Sequence, residues 1–249
     1  MTSRSDPRRR PDHPSTVVEL CGLPGVGKTI VADHLVAALA EVGIVARRDD
    51  SGVGPDVGAG LRLGRKARLI ASTAVVQPAT SARAVVRIAA GQHAGRDAVA
   101  RPVQWLVNQG VLARARRGTG VHVLEEGLVQ ALWSVGLRGE VERLLGVLDT
   151  SASWDEPDVV LAVEAPLDTV RRRIEARSSV HSRTQRLPEA ELLRELQRGD
   201  ELLRDLLEWW QRRRGSDALL RLCNPAEEQP DVRPIALRIA FRIASKDRT

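Results

Sequence analysis

Aromatic residues are scarce in this 249-residue sequence, which has no tyrosine, one phenylalanine and five tryptophans. Proteins that bind single-stranded nucleic acid without sequence preference stack the bases on aromatic side chains placed along a basic groove. No stretch of the sequence combines basic and aromatic residues in this way. The composition therefore argues against a nucleic-acid stacking platform.

Cysteine is also scarce, since Cys21 and Cys223 are the only two and both fall in apolar runs typical of strands. A disulfide framework is therefore not expected, which favours a reducing compartment. No apolar run approaches the length needed to span a bilayer, and the first residues are charged rather than signal-like. We expect a cytoplasmic protein with no membrane partner.

Lysine is the rarest basic residue. The sequence has only Lys28, Lys66 and Lys246 and uses arginine in most other basic positions. The formal net charge is +6, and residues 45–120 hold thirteen Arg or Lys against four Asp or Glu. Such an excess suits an anionic partner, either a phosphorylated small molecule or a nucleic acid. A genome rich in arginine codons is the alternative explanation.

A glycine-rich turn, GLPGVGKT over residues 22–29, joins a strand-like run to a helix-like run. This G-x-x-x-x-G-K-T pattern in this context predicts a phosphate-binding loop. Its backbone N–H groups and the following helix N-terminus attract phosphate, Lys28 reaches the outer phosphates, and the Thr29 hydroxyl ligates Mg²⁺. A compact lysine ammonium fits such a cradle better than a guanidinium. The loop therefore predicts binding of ATP or GTP.

Five short apolar segments predict strands at 16–22, 44–48, 121–127, 158–165 and 218–224. Segments with the apolar periodicity of helices lie between these strands. This alternation predicts an α/β domain with a parallel sheet covered by helices on both faces. We expect a loop over 51–64, helices broken near Pro78 and Gly91 over 65–117, and a long helix over 187–215 that Gly199 interrupts. Residues 1–15 are polar and basic and predict a disordered tail, which leaves 16–249 as one domain.

Two adjacent acids, Glu125 and Glu126, end the third predicted strand. The carboxyl edge of a parallel sheet lies beside the phosphate loop, where an acid can hold Mg²⁺ or accept the proton of an attacking hydroxyl. Neighbouring strand residues point in opposite directions, so we expect one acid to face the nucleotide and the other the acceptor. The alternative is that both only stabilise a helix N-terminus. His122, in the same strand, is interpreted as a core histidine.

An arginine cluster over residues 171–186 follows the fourth predicted strand. Arg173 and Arg177 share a helix face, and Arg183 falls in the loop beyond. A mobile loop that carries Arg177 and Arg183 could close over the phosphates, exclude water and stabilise the transition state. A solvated charged face is the alternative.

Taken together, these motifs resemble the P-loop kinases of nucleosides and nucleotides, that is, the thymidylate kinase-like and deoxynucleoside kinase-like proteins. The likeness runs over residues 16 to about 245 and depends on four segments, GLPGVGKT, LEEGLVQALWS, VVLAVEAPLDTVRRRIEAR and the arginine-bearing stretch before the long helix. The resemblance implies a P-loop NTPase three-layer sandwich with a five-stranded sheet in the order 2-3-1-4-5. It also implies ATP and Mg²⁺ as cofactors and an arginine-bearing lid around residues 171–186.

The same resemblance assigns Lys28, Glu125, Arg177 and Arg183 to catalysis, and the position of Glu126 at the end of the third predicted strand adds that residue. Metal binding is implied for Thr29 and Glu125. In the place where such kinases contact adenine through their backbone, this chain has Asn224-Pro225. The residues expected to bind the nucleotide are Gly22, Leu23, Pro24, Gly25, Val26, Gly27, Lys28, Thr29 and Asn224.

Three departures from the family pattern bear on the acceptor. Glu125 stands where the family has Asp, and no Arg follows it to clamp an acceptor phosphate. No Phe or Tyr is available to stack on a base, so Trp105 with Arg101, Gln104 and Asn108 is a candidate acceptor pocket. A single core tryptophan is the favoured interpretation of Trp105 over this pocket.

The leading hypothesis is a kinase that transfers the γ-phosphoryl group of ATP to a small acceptor, such as a nucleoside or a nucleotide. The alternative is a nucleotide-dependent switch or ATPase that acts through a partner protein, with Trp209 and Trp210 of the long helix as an interface. Nucleic-acid binding through the basic tail and residues 45–120 is the least favoured hypothesis. A homodimer stays open.

Overall fold

One parallel sheet organises the molecule, for which the computed structural model describes residues 15–49, 59–150, 154–176, 187–225 and 230–246. The strands are β1 (Thr16–Cys21), β2 (Ala46–Asp49), β3 (Val121–Leu124), β4 (Val159–Glu164) and β5 (Leu219–Cys223). Their order is β2-β3-β1-β4-β5. The predicted P-loop NTPase fold and its strand order are therefore confirmed.

Helices fill the connections between the strands. They are α1 (Lys28–Glu41), α2 (Ala59–Val76), α3 (Pro78–Gly91), α4 (Gly95–Arg116), α5 (Leu128–Gly136), α6 (Glu142–Thr150), α7 (Leu167–Glu175), α8 (Glu189–Arg214) and α9 (Arg233–Lys246). Helices α4 and α5 contact β1, α8 contacts β5, and α1 contacts both the sheet and α9.

The central strand β1 is buried along its whole length. It pairs in parallel with β3, where Glu19 lies opposite Leu124, and with β4, where Cys21 lies opposite Ala162. Parallel pairing brings the carboxyl ends of all three strands to one edge of the sheet. The loop after β1 and the two acids after β3 are thereby placed side by side.

The segment over 59–64 forms part of helix α2, so the loop predicted there is wrong. Gly60 and Gly64 face open space and Leu61 and Leu63 are exposed, so this first part of α2 continues from the packed part of the same helix further along the chain. Helix α2 packs along α4, where Thr73 Oγ1 donates a hydrogen bond to the Leu106 carbonyl at 3.2 Å. Residues 50–58, the rest of that predicted loop, lie outside the described residues.

Helix α8 continues through Gly199, so the interruption predicted there does not occur. A single glycine in a helix interior lowers helix stability by about 1 kcal/mol. The surrounding leucine, glutamate and arginine residues have high helix propensity and offset this loss. The indole N–H of Trp133 in α5 donates to the Gly199 carbonyl at 2.7 Å and fixes the two helices together.

Three tryptophans, which the sequence offered for a partner interface or an acceptor pocket, pack largely within the domain. Trp210 is fully buried and donates to the Ala218 carbonyl at 3.1 Å, while Trp209 is half-buried and donates to Asp149 at 3.2 Å. Trp210 therefore cannot belong to a surface interface, whereas Trp209 keeps part of its surface exposed. Trp105 is likewise buried, with its ring 5.6 Å from that of Trp154, as expected for a core residue.

His122 has no exposed surface, and its ring binds the Asp49 carboxylate. Burial alone raises the pKa of Asp49, but the hydrogen bond and charge of His122, with Arg47 and Arg114, outweigh it and lower that pKa. Both residues act in packing strands β2 and β3 together. Within the described ranges, no helix has the length and apolar character required to cross a membrane.

Candidate functional site

The turn between β1 and α1 has the backbone shape of a phosphate loop. Gly25 and Gly27 have φ angles of +85° and +97°, in the left-handed region that other L-residues rarely adopt. A Cβ atom at Gly25 would also lie 2.8 Å from Ile174 Cγ1. A Cβ atom at Gly27 would overlap Asn224 Nδ2, so glycine is needed at both positions for its conformation and for space.

Side chains from three other elements hold this loop in place. The Val26 carbonyl accepts hydrogen bonds from Asn224 Nδ2 at 2.7 Å and from the Arg173 guanidinium at 3.1 Å. On the opposite side, the Gly22 N–H donates to Gln130 Oε1 at 3.1 Å. The loop conformation is thus fixed by strand β5, helix α7 and helix α5 together.

Lys28 begins helix α1 and lies along the loop that precedes it. Its ammonium group donates to the Gly22 carbonyl at 2.8 Å and approaches the Leu23 carbonyl at 3.5 Å. These contacts hold the positive charge at the opening of the loop, where the outer phosphates of a nucleotide would lie.

Thr29, the next residue, meets the first acid of the β3 edge. Its hydroxyl donates to Glu125 Oε2 at 2.5 Å, and Arg48 Nε lies 3.6 Å from Glu125 Oε1. Arg48 also binds Asp33 at 2.8 Å. The sequence reasoning found no arginine after Glu125 and overlooked Arg48, which reaches this carboxylate from the neighbouring strand β2.

Glu126 faces away from Glu125, towards helix α4. Gln104 Nε2 donates to Glu126 Oε2 at 3.1 Å and also approaches Asn108 Oδ1 at 2.9 Å. Asn108 in turn contacts the Gly127 carbonyl at 3.5 Å. The two adjacent acids therefore divide the site, one beside the phosphate loop and the other beside α4.

A single cleft of about 890 Å³ connects these two halves. Its walls are the phosphate loop, the β3 edge and the facing sides of helices α4 and α5. The lining side chains outside the loop are Arg96, Asp97, Ala100, Arg101, Gln104, Asn108, Glu125, Glu126, Gln130, Ala131, Trp133 and Ser134.

The α4 side of the cleft matches the predicted acceptor pocket except for its aromatic residue. Arg101, Gln104 and Asn108 line the cleft, whereas Trp105 points into the core. Trp133 of α5 contributes the aromatic surface instead. The sequence held a signal for it, since Glu126, Gln130 and Trp133 recur at the spacing of one helix face.

Arg101 is fixed within the cleft by its neighbours. Its guanidinium donates to Ser134 Oγ at 2.5 Å and lies 3.4 Å from Asp97 Oδ1. Arg101 therefore joins helix α4 to helix α5 across this side of the cleft.

The sequence reasoning also overlooked Glu19, a carboxylic acid in the middle of β1. Its side chain has no exposed surface and lies directly beneath the turn that carries Glu125 and Glu126. Burial raises its pKa to about 7, against the opposing effect of the backbone N–H groups of residues 127–130.

Arg177 and Arg183, the predicted lid arginines, lie outside the described residues. Of the arginines that precede them, Arg171 pairs with Glu175 and Glu189 on the surface. Arg173 instead turns inward, binding both the Val26 and Pro225 carbonyls. Its role in holding the phosphate loop was not anticipated.

The residues of the cleft fit a nucleotide phosphate and a magnesium ion. Thr29 and Glu125 bring together a hydroxyl and a carboxylate, which are oxygen ligands of the kind that Mg²⁺ prefers. Among the residues that the structure describes, no group of three or more His, Cys, Asp or Glu could hold a metal unaided. The remaining ligands would therefore come from phosphate oxygens and water, as Mg²⁺ commonly accepts.

Solved structures with a related architecture include two of deoxyadenosine kinase from M. mycoides. The one with bound dCTP has a TM-score of 0.46 and 11% identity, and the one with dCMP and dCDP has 0.47 and 12%; each covers 92% of this chain and 100% of its own. Thymidylate kinase from Candida albicans has a TM-score of 0.47 and 11% identity, covering 95% of this chain and 94% of its own. No curated protein sequence matches this chain.

A family model described as an AAA domain matches residues 17–202. The match contains the phosphate loop, both acids of the β3 edge and about half of helix α8. Because it extends over more than half of the sequence, this chain belongs to the AAA-domain family of P-loop proteins.

Proposed function

We propose that this protein is an ATP-dependent kinase that transfers the γ-phosphoryl group to a small acceptor bound between helices α4 and α5. The observation that carries the proposal is the continuity of the 890 Å³ cleft, which has the phosphate loop at one end and polar side chains at the other. A protein that only hydrolyses ATP needs no second compartment of this kind. The volume is sufficient for a small-molecule ligand next to a triphosphate.

The phosphate loop would position ATP through its backbone. Loop N–H groups and the N-terminus of α1 would bind the phosphates, and Lys28 would neutralise charge on the outer two. Thr29 and Glu125 would hold Mg²⁺, which supplies further neutralisation of the developing charge when bound. Asn224 and Arg173 support this arrangement by preventing rotation of the Val26 peptide.

Glu126 is the residue best placed to act on the acceptor. Its carboxylate lies on the α4 side of the cleft, where Gln104 orients it. We assign it the task of orienting an acceptor hydroxyl and receiving its proton while the hydroxyl oxygen attacks the γ-phosphorus and ADP leaves. Where the acceptor is a phosphate, Glu126 would orient it only through a further hydroxyl group.

Acceptor recognition would depend mainly on polar groups, since Trp133 is the one aromatic side chain of the cleft wall among the described residues. Gln104 and Asn108 supply amides, and Arg101 and Ser134 supply a linked guanidinium and hydroxyl. These groups suit a compound with several hydroxyl or amide functions, and a nucleoside or nucleotide is the class that the sequence resemblance favours. Arg177 and Arg183 would belong to a lid that closes over the phosphates. The proposal also includes a cytoplasmic location and a homodimer.

A thermal-shift screen tests this function directly. Nucleosides, nucleoside monophosphates, sugars and sugar phosphates are each added alone and together with Mg²⁺ and a non-hydrolysable ATP analogue. A true acceptor should raise the melting temperature further only when the nucleotide site is filled, because binding to the folded state stabilises it.

Product formation then separates a kinase from a switch. A kinase should release ADP slowly alone and at least tenfold faster with its acceptor, with one phosphorylated acceptor formed for each ADP. Phosphate release that no small acceptor stimulates, but that a partner protein does, would replace this proposal with the switch alternative.

A further inference from the structure

An ionisable residue in the centre of the sheet needs a physical explanation. Glu19 belongs to β1, the middle strand, and its side chain is 0% exposed. Leaving a carboxylic acid in such a place costs free energy unless its oxygen atoms are hydrogen-bonded. An apolar residue at this position would fill the same space without that cost.

The Glu19 carboxyl group reaches the first turn of helix α5. Its Oε1 accepts a hydrogen bond from the Gln130 N–H at 2.8 Å. Its Oε2 faces Gly127, where an added Cβ atom would lie 2.5 Å away, and accepts no hydrogen bond of good geometry among the described residues. The space beneath the acidic turn is thus filled by this one carboxyl group.

A second contact leads from α5 to the phosphate loop. The side chain of Gln130, whose backbone N–H binds Glu19, accepts a hydrogen bond from the Gly22 N–H at 3.1 Å. Glu19 and Gln130 therefore form a continuous link from the β3 edge to the first residue of the loop.

The geometry points to Glu19 as a positioning residue for the reaction proposed above, because it fixes Glu125 and Glu126 at a set distance from the phosphate loop through the α5 N-terminus and Gln130. This inference rests on the proposed function for its kinetic consequence, whereas its structural consequence is independent of any reaction. Transfer requires reacting atoms to be aligned closely, and misplacement by about 1 Å can cost a hundredfold in rate.

Glu19→Gln is the informative variant, because it keeps the shape but replaces one acceptor oxygen with an NH₂ donor. Above pH 7, where the Glu19 carboxylate carries no proton, that donor is new to the site and would face the N–H groups of the α5 first turn, so the turn would have to move; the variant is therefore compared with the wild type at pH 8. The matched control is Glu164→Gln, which alters a glutamate of the adjacent strand β4 that is half-exposed and paired with Arg221. Gln130→Ala is the second variant, since it removes the contact with Gly22 but keeps the backbone N–H that Glu19 binds.

Hydrogen exchange of the nucleotide-free protein tests the structural half. Glu19→Gln should accelerate exchange of the amides of residues 127–131 at least tenfold, with no such change in Glu164→Gln. Unchanged exchange in that segment would overturn the inference, even if the protein proved to have no kinase activity. Should Glu19→Gln fail to fold, Gln130→Ala must accelerate exchange at Gly22, and an unchanged rate there would overturn it equally.

Kinetics test the other half, with rates normalised to the nucleotide-binding sites titrated in each preparation. Glu19→Gln should lower kcat about tenfold or more and leave both KM values within threefold. Because the two residues act through one link, the double variant with Gln130→Ala should be no slower than Glu19→Gln within a factor of two. A kcat equal to that of the wild type, or single effects that multiply in the double variant, would show that Glu19 has a structural role only.

Discussion

The two ends of the cleft are built in different ways. The phosphate-loop end is the proposed donor end. There the backbone is expected to contact the nucleotide, with glycines at positive φ and a Val26 carbonyl held by Asn224 and Arg173. At the acceptor end, helices α4 and α5 present side chains, among them Gln104, Arg101 and Glu126. A backbone site leaves a strong mark in the sequence, because only a few residue types permit its shape. A side-chain site can be formed by many combinations of residues.

Specificity for the nucleotide and specificity for the acceptor should therefore depend on different ends of the cleft. Changes at the donor end should alter nucleotide binding for every acceptor, whereas changes at the acceptor end should alter the acceptor KM and leave the nucleotide unaffected. Glu125 and Glu126 lie at the boundary, and Glu19 holds the two ends in register.

The largest expected effect is on the boundary acid Glu125. Glu125→Gln should lower kcat about 10²- to 10³-fold, that is, by about 3–4 kcal/mol, because an amide neutralises and orients Mg²⁺ less well. Steady-state kinetics at saturating ATP measure it. Glu140→Gln, at an exposed glutamate paired with Arg143 outside the cleft, serves as the control. A kcat for Glu125→Gln within threefold of the wild-type value would show that Glu125 has no role in the reaction.

The next effect concerns the pH dependence of stability. The pKa of Glu19 is raised from 4.5 to about 7 in the folded state, so the native protein binds this proton more tightly than the unfolded chain does. The stability that the group contributes is complete below pH 4.5 and is lost as the pH rises through 7, by up to about 3 kcal/mol.

Denaturant unfolding at pH 5 and pH 8 measures this loss. Relative to the wild type, Glu19→Gln should lack it, so the difference in unfolding free energy between the two proteins should change between these pH values. A difference that is independent of pH would contradict a raised pKa for Glu19.

A pair of buried asparagines compares the two ends directly. Asn224 and Asn108 are each 3% exposed, and each donates from its amide to a backbone carbonyl, at Val26 and Gly127 respectively. Replacing either by Ala removes one hydrogen bond to that carbonyl, at a cost of about 0.5–1.5 kcal/mol, because the Val26 carbonyl keeps its bond from Arg173 and the Gly127 carbonyl keeps its bond from the Ala131 N–H. Asn224→Ala should weaken ATP binding about tenfold, and Asn108→Ala should raise the acceptor KM instead. Equal effects of both variants on ATP affinity would show that the two ends are not separable.

The smallest expected effect belongs to Gln104. Gln104→Ala should raise the acceptor KM several-fold, about 1 kcal/mol, since it removes one hydrogen bond that orients Glu126. The KM for ATP provides an internal control and should not change. A larger effect on ATP than on the acceptor would place the acceptor elsewhere.

Much of the donor end was readable from the sequence. The residue types of GLPGVGKT follow from the shape of the turn, and the position of Glu125 follows from parallel strand pairing. The contacts of Arg48, Arg173 and Glu19 could not be predicted, because each side chain contacts a residue distant in sequence.

At the acceptor end, the helical pattern left two interpretations of Trp105, and the favoured one, a core residue, is confirmed. Trp105 and Gln104 are neighbours on α4, yet one enters the core and the other the cleft. The direction of the helix face depends on how α4 packs on α2 and the sheet, which a single sequence does not reveal. The amide residues were found because they share a helix side with Arg101.

Calorimetric titration of Mg²⁺·ATP into two lysine variants tests the central claim that the loop is the donor site. Lys28→Ala should weaken binding at least 100-fold, which is about 3 kcal/mol, because it removes the cation that faces the outer phosphates. Lys66→Ala, at a lysine of helix α2, should bind as the wild type does. An affinity in Lys28→Ala equal to that in Lys66→Ala would contradict the assignment of this loop to ATP.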